Sequence, residues 1–432
     1  MRRWRVVGGL IVLLVVAMAC TALPAAPATS PAGTSAQIKL TLWHAYGGSF
    51  GQAFEALVED FNATHFGVVV EPSYGGNLFT MRDKLLTAIA GNAAPDIAQI
   101  DQFWSSELAQ AGAIARMQDF IDADPDIDKE DILETAWETA TYDGQIWSMP
   151  FSLSNIALYY NKALFEKASL DPEQPPATWE ELVKVGKALT QDTDGDGTVD
   201  QWGLWFPLKI NEGNVYYWFA FLWQAGGQIF DASFTRAEFN GPAGVEALQF
   251  WRDLVHKYGI VPLAPPEQGF EAGKIAMTFA STARLNRYIA ALGSDRLGMA
   301  AMPHHTQRAT GIGGANLAIL STAKDRRAAW EFVKWMSSRE TNLRWSMETG
   351  YLPLRLSVIA SDGYQAYLQE EPRAQTILEQ MPDAVVRPNI PAYAPASREV
   401  GLAIEDVLFN NADPGMALNA VAEKADALLQ KR

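Results

Sequence analysis

Cysteine is almost absent from this chain of 432 residues, because the only one is Cys20. A disulfide within the chain is therefore excluded, and so is a catalytic thiol or a cysteine metal site anywhere after position 20. Histidine is scarce as well, with five copies spread along the chain. The sequence also lacks an H-E-x-x-H pair and a Walker loop, so the common motifs of zinc hydrolases and phosphate-loop enzymes are missing.

Positive charge is in short supply. The chain has 34 lysines and arginines against 50 aspartates and glutamates, a formal net charge of −16. Such a negative field disfavours nucleic acid and anionic membrane surfaces as partners. We therefore expect no nucleic-acid partner and no membrane contact through the surface of the folded part.

The N-terminal segment is typical of export. Three arginines within the first five residues precede an apolar run from Val6 to Ala19. This run is shorter than the ~20 residues that a membrane-spanning helix needs, so we predict a signal peptide over residues 1–19. The residues Val16 to Cys20 resemble a bacterial lipobox, which implies that Cys20 becomes the lipidated first residue of the mature protein. The alternative is an ordinary signal with an incidental cysteine.

Residues 20–36 have the composition of a flexible tether. Thr21 to Ala36 consists almost wholly of alanine, proline, threonine, serine and glycine, which offer nothing to bury. As a flexible coil this stretch spans about 20–25 Å. We expect an exported protein, lipid-anchored at the outer face of the cytoplasmic membrane or in the periplasm, whose folded part begins near Gln37.

The folded part has an α/β pattern. Ile38 to Trp43 alternates like a strand, and the apolar residues from Phe50 to Phe61 recur at the helical period. Further strand–helix alternation predicts a parallel or mixed sheet. Ligands of such sheets lie at the carboxyl ends of the strands, and these ends carry the candidate ligand contacts Trp43, His44, Tyr46, Asn77, Asp101 and Gln102. For His44, a structural role is an equal alternative.

A resemblance to a known family covers nearly the whole folded part. The segments that carry it include Thr41 to His44, Gly91 to Ile97, Leu158 to Lys162, Thr178 to Leu182, Ala328 to Phe332 and Gly350 to Pro353. Together they resemble the extracellular solute-binding proteins of bacterial ABC importers, in the family that binds sugars and polyols. The resemblance implies two discontinuous α/β lobes with several hinge crossovers, a ligand cleft between them and a membrane permease as partner.

On this basis we place the N-terminal lobe at residues 37–149 plus 277–325, and the C-terminal lobe at 150–276 plus 326–432. The resemblance also implies a binding role rather than catalysis, with no required cofactor. We expect a monomer.

Within that family, the chain resembles the glycerol-3-phosphate binders most. By position, the resemblance implies ligand contacts at Ser154, Ser281, Gly313, Gly314, Tyr351 and Arg398. Leu78 stands where those binders usually carry a tyrosine, and Gln102 where they carry a glutamate. These departures favour a different or larger ligand, so a polyol phosphate, its diester and a neutral mono- or oligosaccharide all stay open.

Aromatic residues are concentrated between Trp202 and Trp223. We predict that Tyr216 to Trp223 is a buried helix. Trp202 and Trp205 are predicted to lie in a loop, where their indoles are candidate platforms for a sugar ring.

An Asp-rich segment indicates a structural calcium site. Its candidate ligands are Asp192, Asp194, Asp196, Thr198 and Asp200. Their spacing reproduces the first half of a calcium loop, although Gly203 stands where the bidentate glutamate is expected. The alternative is a polar surface turn.

One motif indicates an enzyme. Gly47 to Gly51 reads G-x-S-x-G between a strand and a helix, the setting of a hydrolase nucleophile. However, too little chain precedes it for that fold, and Ser49 with Gln52 also fits a helix-capping box.

The rival interpretation, an exported glycan hydrolase, would need two carboxylates about 5–10 Å apart across the cleft.

Overall fold

The computed structural model describes residues 37–210 and 212–430. The predicted signal peptide, Cys20 and the tether lie outside this range. Within it, no helix combines the length and apolarity needed to cross a bilayer.

Strands and helices alternate through the first half of the chain, and helices dominate the end. The strands are β1 Ile38–His44, β2 Val68–Tyr74, β3 Ile97–Asp101, β4 Thr141–Tyr142, β5 Gln145–Ile146, β6 Met149–Ser154, β7 Ile156–Asn161, β8 Trp202–Trp205, β9 Ile275–Ser281, β10 Leu297–Ala300, β11 Thr310–Gly311, β12 Gly313–Ile319 and β13 Ala384–Val385. The helices are α1 Gly48–Thr64, α2 Leu78–Ala90, α3 Trp104–Gln110, α4 Met117–Ala123, α5 Glu134–Ala140, α6 Lys162–Lys167, α7 Trp179–Leu189, α8 Glu212–Gln224, α9 Pro242–His256, α10 Leu285–Leu292, α11 Arg326–Met336, α12 Arg339–Thr349, α13 Leu356–Ile359, α14 Asp362–Glu370, α15 Arg373–Glu379, α16 Tyr393–Phe409 and α17 Pro414–Leu429.

The first lobe is built on a five-stranded sheet with the order β2-β1-β3-β12-β6. β1 runs parallel to β2 and β3, whereas β12 is antiparallel to both β3 and β6. The predicted apolar face of α1 is buried, with Phe54, Leu57 and Phe61 at most 1 % exposed. Helices α11 and α12 contact α1 and complete this lobe.

The second lobe is built on a four-stranded mixed sheet with the order β10-β7-β9-β8. Helices α8, α9, α16 and α17 pack on one another beside it. The prediction of a buried aromatic helix is confirmed in α8, where Trp218, Phe219 and Phe221 are at most 1 % exposed. The two larger sheets, one in each lobe, confirm the predicted α/β architecture.

The strands of the two larger sheets do not follow the predicted lobe boundaries. β6 belongs to the first sheet, whereas the predicted boundary places residues from 150 onward in the second lobe. β9 belongs to the second sheet, whereas the predicted boundary places residues from 277 onward in the first lobe. The chain passes between the sheets at Asn155, whose Nδ2 donates to the carbonyl of Ile377 at 3.0 Å. Because β6 and β7 are buried along their whole length, apolar periodicity does not mark the crossing.

The N-termini of α7 and α1 are capped differently. Thr178 caps α7, because its hydroxyl accepts from the N–H of Glu181 at 3.2 Å. The predicted cap at Ser49 is wrong: Gly47 is the N-cap of α1, without a side-chain hydrogen bond, and Ser49 lies in the first turn. Gly51, in the first turns of α1, allows the preceding loop to pass close to the helix, because a Cβ at this position would lie 2.6 Å from the carbonyl oxygen of Tyr46.

Candidate ligand-binding site

Strand ends and loops of both lobes bring a set of polar and aromatic residues together. Asp101 ends β3 and Gln102 follows it directly, while Ser154 pairs with Gly313 where β6 and β12 meet. The cleft residues, as we name this set, are Tyr46, Asp101, Gln102, Ser152, Ser154, Tyr216, Ser281, Gly313, Gly314, Tyr351 and Arg387.

Hydroxyl groups connect the cleft residues across the two lobes. The hydroxyl of Ser281, at the end of β9 in the second sheet, donates to Oγ of Ser154 in the first sheet at 2.9 Å. On the first-lobe side, Oη of Tyr46 lies 2.8 Å from Oγ of Ser152. The structure thus brings Ser154 and Ser281 together, and their contact with a ligand stays a prediction.

The two adjacent glycines are required by close approaches. Gly314 has a φ of +142°, and a Cβ there would lie 2.0 Å from the carbonyl oxygen of Ser152. A Cβ on Gly313 would lie 2.8 Å from Oη of Tyr216. Glycine therefore lets the backbone of β12 reach the cleft between the β6 strand and an aromatic ring.

Gln102 is the cleft residue whose polar groups have no partner in the described part of the chain. Its side chain is 3 % exposed, and neither Nε2 nor Oε1 has a hydrogen-bond partner there. A Cβ on Gly314 would lie 3.0 Å from Nε2, so this amide lies directly beside Gly314 in β12. A buried amide without a hydrogen-bond partner lowers the stability of the folded state by about 1–3 kcal/mol. Gln102 is therefore a candidate to form hydrogen bonds with a ligand.

Arg387 is a cleft residue that sequence reasoning missed. Its Nη2 lies 3.3 Å from Oδ1 of Asp101, and the two side chains are 5 % and 9 % exposed. The guanidinium also lies over two rings, 4.7 Å from the centroid of Phe103 and 4.9 Å from that of Tyr216. Phe103 belongs to the first lobe and Tyr216 to the second, so Arg387 is held between lobes by a buried ion pair and two cation–π contacts.

The phenols of the cleft remain protonated at any physiological pH. Burial raises the pKa of Tyr351 to about 12, against the opposing effect of Arg284 and with a further increase from Asp101. Burial also raises the pKa of Tyr46 and Tyr216 well above the usual value. These residues are therefore neutral hydrogen-bonding groups, and Tyr351 also presents a ring stacked on Trp345 at 5.6 Å.

Two of the other predicted contacts lie outside the cleft residues. His44 is completely buried, with its ring 4.9 Å from that of Phe54, and burial lowers its pKa against the opposing effect of Glu55. This placement is that of the structural histidine. Asn77 is exposed and caps α2, since its Oδ1 accepts from the N–H of Thr80 at 3.0 Å.

The predicted tryptophan platforms are not in a loop. Trp202 and Trp205 lie in β8, an edge strand of the second sheet, and both are half-buried against apolar neighbours. The strand follows from the pairing of this segment with β9, a long-range contact that turn-rich flanking sequence does not reveal. Trp43 is likewise half-buried, in β1. Their contact with a ligand stays a prediction.

Arg398 lines a separate cavity of about 610 Å³ between the lobes. Arg82 and Glu107 face it from α2 and α3 of the first lobe, and Arg398 lies in the first turn or two of α16 in the second. Nη2 of Arg82 donates to both carboxylate oxygens of Glu107 at 2.7 Å. Arg398 is exposed and has no polar partner among the described residues. Phe103 borders both this cavity and the guanidinium of Arg387.

The Asp-rich loop gathers three of its five predicted metal ligands. Carboxylate oxygens of Asp192, Asp194 and Asp200 lie within 4.8 Å of one another, and all three side chains are exposed. Asp196 and Thr198 are not part of this group, and Oδ1 of Asp196 accepts from the N–H of Thr198 at 2.7 Å. Hydrogen bonds from Gly197 and Gly195 lower the pKa of Asp192. Calcium binding by this loop stays a prediction.

Two α/β lobes with polar groups from both meeting between them form an architecture suited to binding a small solute. Residues 56–371 match the family model described as bacterial extracellular solute-binding protein. The chain therefore belongs to this family, and the predicted resemblance is confirmed.

The names of similar proteins refer to sugars or to glycerol-3-phosphate. A relative named sn-glycerol-3-phosphate-binding periplasmic protein UgpB, from Pectobacterium atrosepticum, is 28 % identical over 96 % of each chain. A Thermotoga lettingae solute-binding protein, solved with alpha-D-tagatose, has a TM-score of 0.82 at 26 % identity, covering 91 % of this chain and 100 % of its own. The cyclic alpha-maltosyl-1,6-maltose binding protein of Arthrobacter globiformis has a TM-score of 0.77 at 32 % identity, covering 92 % of this chain and 100 % of its own.

Proposed function

We propose that this protein captures a carbohydrate-type ligand outside the cytoplasm by closure of its two lobes, and delivers it to the membrane subunits of an ABC importer. The observation that carries the proposal is Gln102, a buried amide without a partner at the point where polar groups of both lobes meet. An amide offers both a donor and an acceptor, which suits a vicinal pair of hydroxyls. Family membership supports the binding role.

A neutral polyhydroxyl compound is the ligand that the cleft residues favour. Their hydroxyls, amide and glycine backbone are neutral, and their cation, Arg387, is already paired with Asp101. A phosphate there would have to compete with that carboxylate. The sugars named for the two similar structures support this choice.

A polyol phosphate or its diester is the second candidate, and Arg398 favours it. This arginine is free of polar partners within the described residues and lines a cavity between the lobes. A guanidinium offers a planar pair of donors that matches a phosphate. The name of the Pectobacterium relative supports this alternative.

The proposed role is not enzymatic. A glycosidase needs two carboxylates that flank the scissile bond. Among the cleft residues defined above, Asp101 is the one carboxylate, and its pairing with Arg387 leaves it poorly suited as an acid or base. The binding role is also the one that the relatives' names give.

Calorimetric titration of the purified protein tests the proposal. The panel contains tagatose, maltose, larger maltooligosaccharides, glycerol-3-phosphate and glycerophosphodiesters. We expect at least one of them to bind, and Gln102→Ala to weaken that ligand by about tenfold or more, since one buried hydrogen bond to the ligand is worth about 1–3 kcal/mol. Without ligand, the free energy of unfolding should not fall, because the amide has no partner to lose.

The matched control is Gln365→Ala, which removes an exposed glutamine of α14. Arg398→Ala separates the two ligand classes, because it should abolish binding of a phosphorylated ligand and leave a neutral sugar nearly unchanged. If no member of the panel binds, or if Gln102→Ala binds its ligand as tightly as the parent protein, the proposed function is wrong.

A further inference from the structure

Arg284 is a cation beside the cleft that the family motifs do not include. It ends a short 3₁₀ turn, Thr282–Arg284, which directly follows β9 and its last residue, Ser281. The hydroxyl of Ser281 donates to Ser154 in the first sheet. Arg284 therefore lies three residues beyond a hydrogen bond that connects the two sheets.

A loop of the first lobe packs against this turn. A Cβ on Gly350 would lie 3.6 Å from the carbonyl oxygen of Thr282 and 3.8 Å from Cα of Ala283. Gly350 ends α12 in the left-handed conformation, with a φ of +79°, and the next residue is the cleft residue Tyr351. Because glycine permits this close approach, the backbone of Tyr351 lies beside the turn that carries Arg284.

The charge of Arg284 is uncommitted. Its side chain is exposed and has no hydrogen-bond or ion-pair partner in the part of the chain that the structure describes. Neighbouring cations differ in this respect, because Arg287 pairs with Glu271 at 2.6 Å and Arg387 pairs with Asp101. Arg284 is therefore a cation that remains available to a ligand.

Phenols from both lobes are exposed to this charge. Burial raises the pKa of Tyr351, in the first lobe, and of Tyr217, in α8 of the second, each to about 12. Arg284 opposes the increase in both residues, and at Tyr351 its effect exceeds that of Asp101. The two half-buried phenols therefore stay protonated as O–H donors, and a positive charge acts on both.

We propose that Arg284 binds the carboxylate of an acidic sugar, whose hydroxyls the cleft residues hold, and so makes the protein prefer sugar acids to neutral sugars. A guanidinium presents two parallel N–H donors that match the two oxygens of a carboxylate. The phenols of Tyr217 and Tyr351 add neutral donors. The inference rests on the proposed function, since it names the acid group of the same ligand.

A carboxylate suits this position better than a phosphate. One guanidinium balances the single charge of a carboxylate, whereas a phosphate monoester carries about −1.5 to −2 near pH 7. The charge of Asp101 also acts on Tyr351 and raises its pKa, so an excess negative charge at this position would be repelled. Arg398, the candidate for a phosphate, lines a different cavity.

Glucuronate and galacturonate are the probes, and glucuronamide and galacturonamide are neutral references of nearly the same shape. All four are titrated calorimetrically into the purified protein at low, matched ionic strength. We expect at least one acid to bind about fivefold more tightly than its amide. Sodium chloride at about 0.5 M should reduce this preference, because salt screens an exposed ion pair. Equal affinities of acids and amides, or no binding of either acid, would overturn the proposal.

Variants assign the preference to one side chain. Arg284→Gln should make acid and amide bind equally, and Arg284→Lys, which keeps the charge, should retain part of the preference. Arg327→Gln removes the same charge from an exposed position of α11 and should bind both compounds like the parent protein. If Arg284→Gln weakens acid and amide by the same factor, its role is structural and the proposal is wrong.

The outcomes also separate this inference from the proposed function. If amides or neutral sugars bind and the acids bind no more tightly, only the assignment of Arg284 fails. If glycerol-3-phosphate binds and loses affinity in Arg284→Gln while the uronates do not, the anion is a phosphate and the carboxylate assignment is wrong. If no carbohydrate or polyol phosphate binds at all, the proposed function fails as well.

Discussion

At the scale of single residues, the buried pair of Asp101 and Arg387 dominates the electrostatics of the cleft. Each charge is tolerable because the other one compensates it. Removing one partner of such a pair is more costly than removing both, because a lone buried charge remains. The pair therefore helps to hold the two lobes together. It also influences which ligands the cleft can bind.

A double-mutant cycle tests this coupling. Asp101→Asn should lower the free energy of unfolding by about 3–5 kcal/mol, since it strands the Arg387 charge. Adding Arg387→Gln should recover about 1–3 kcal/mol of that loss. Urea unfolding of the parent protein, both single variants and the double variant gives the coupling.

An exposed ion pair provides the control for that cycle. Lys39 and Glu71 lie 3.4 Å apart with side chains 67 % and 55 % exposed, so Glu71→Gln should cost about 1 kcal/mol or less. Strictly additive effects of Asp101→Asn and Arg387→Gln would contradict the assigned coupling.

The residue scale also shows what sequence can and cannot locate. Ser154, Ser281, Gly314 and Tyr351 were predicted from family motifs, and the structure brings them together. Arg387 belongs to no such motif; the sequence signal, an arginine between Val386 and Pro388, is common in surface segments. Its role arises from the approach of Phe103 and Tyr216, which are far from it in sequence and come from different lobes.

At the scale of elements, Asp96 ties three segments of the first lobe together. Its side chain is 3 % exposed and stands directly before β3. Oδ2 accepts from the N–H and hydroxyl of Thr41 in β1 at 2.8 and 2.9 Å, and Oδ1 accepts from the N–H of Lys324 beyond β12 at 2.8 Å. The family motif that contains Asp96 thus has a structural explanation.

The contribution of Asp96 should depend on pH. Burial favours the protonated form, but the hydrogen bonds from Lys324 and Thr41 outweigh it and lower the pKa of Asp96. The stabilisation is then fully present above the unfolded pKa of about 3.9 and is lost as the pH falls through the lower folded pKa. We expect Asp96→Asn to cost about 1–3 kcal/mol at pH 7 and progressively less below about pH 4.

Urea unfolding of the parent protein and Asp96→Asn across this pH range provides the measurement. Glu59→Gln, at an exposed position within α1, is the control and should leave stability nearly unchanged at every pH. A difference between the parent protein and Asp96→Asn that stays constant down to pH 3 would show that the ionised carboxylate is not the stabilising group.

Helices and strands were predictable from the sequence where one of their faces is exposed to solvent. The apolar face of α1 and the cap of α7 follow from spacing and local chemistry, and both agree with the structure. The lobe boundaries did not follow, since β6 and β7 are consecutive and buried on both faces. Only their pairing partners, β12 for one and β9 for the other, assign them to different sheets.

At the scale of the whole molecule, the charge determines how this protein can stay at a membrane. A chain with a net charge of −16 is repelled by an anionic membrane surface. Within the described residues no helix is able to span a bilayer. The predicted lipidation of Cys20 would supply stable attachment, because acyl chains insert into the bilayer and bury apolar groups there.

Loss of the predicted lipid on Cys20 should therefore shift the whole protein from the membrane fraction to the soluble fraction. In cells of a bacterial host, we expect the parent protein to enter the detergent phase of a Triton X-114 extraction and Cys20→Ser to enter the aqueous phase. Thr21→Ala, which alters the tether but keeps the cysteine, should behave like the parent protein. Because the tether begins before the folded part, ligand affinity of Cys20→Ser should equal that of the parent protein. Equal partition of the parent protein and Cys20→Ser would show that membrane attachment, if observed, has another origin than a lipid on Cys20.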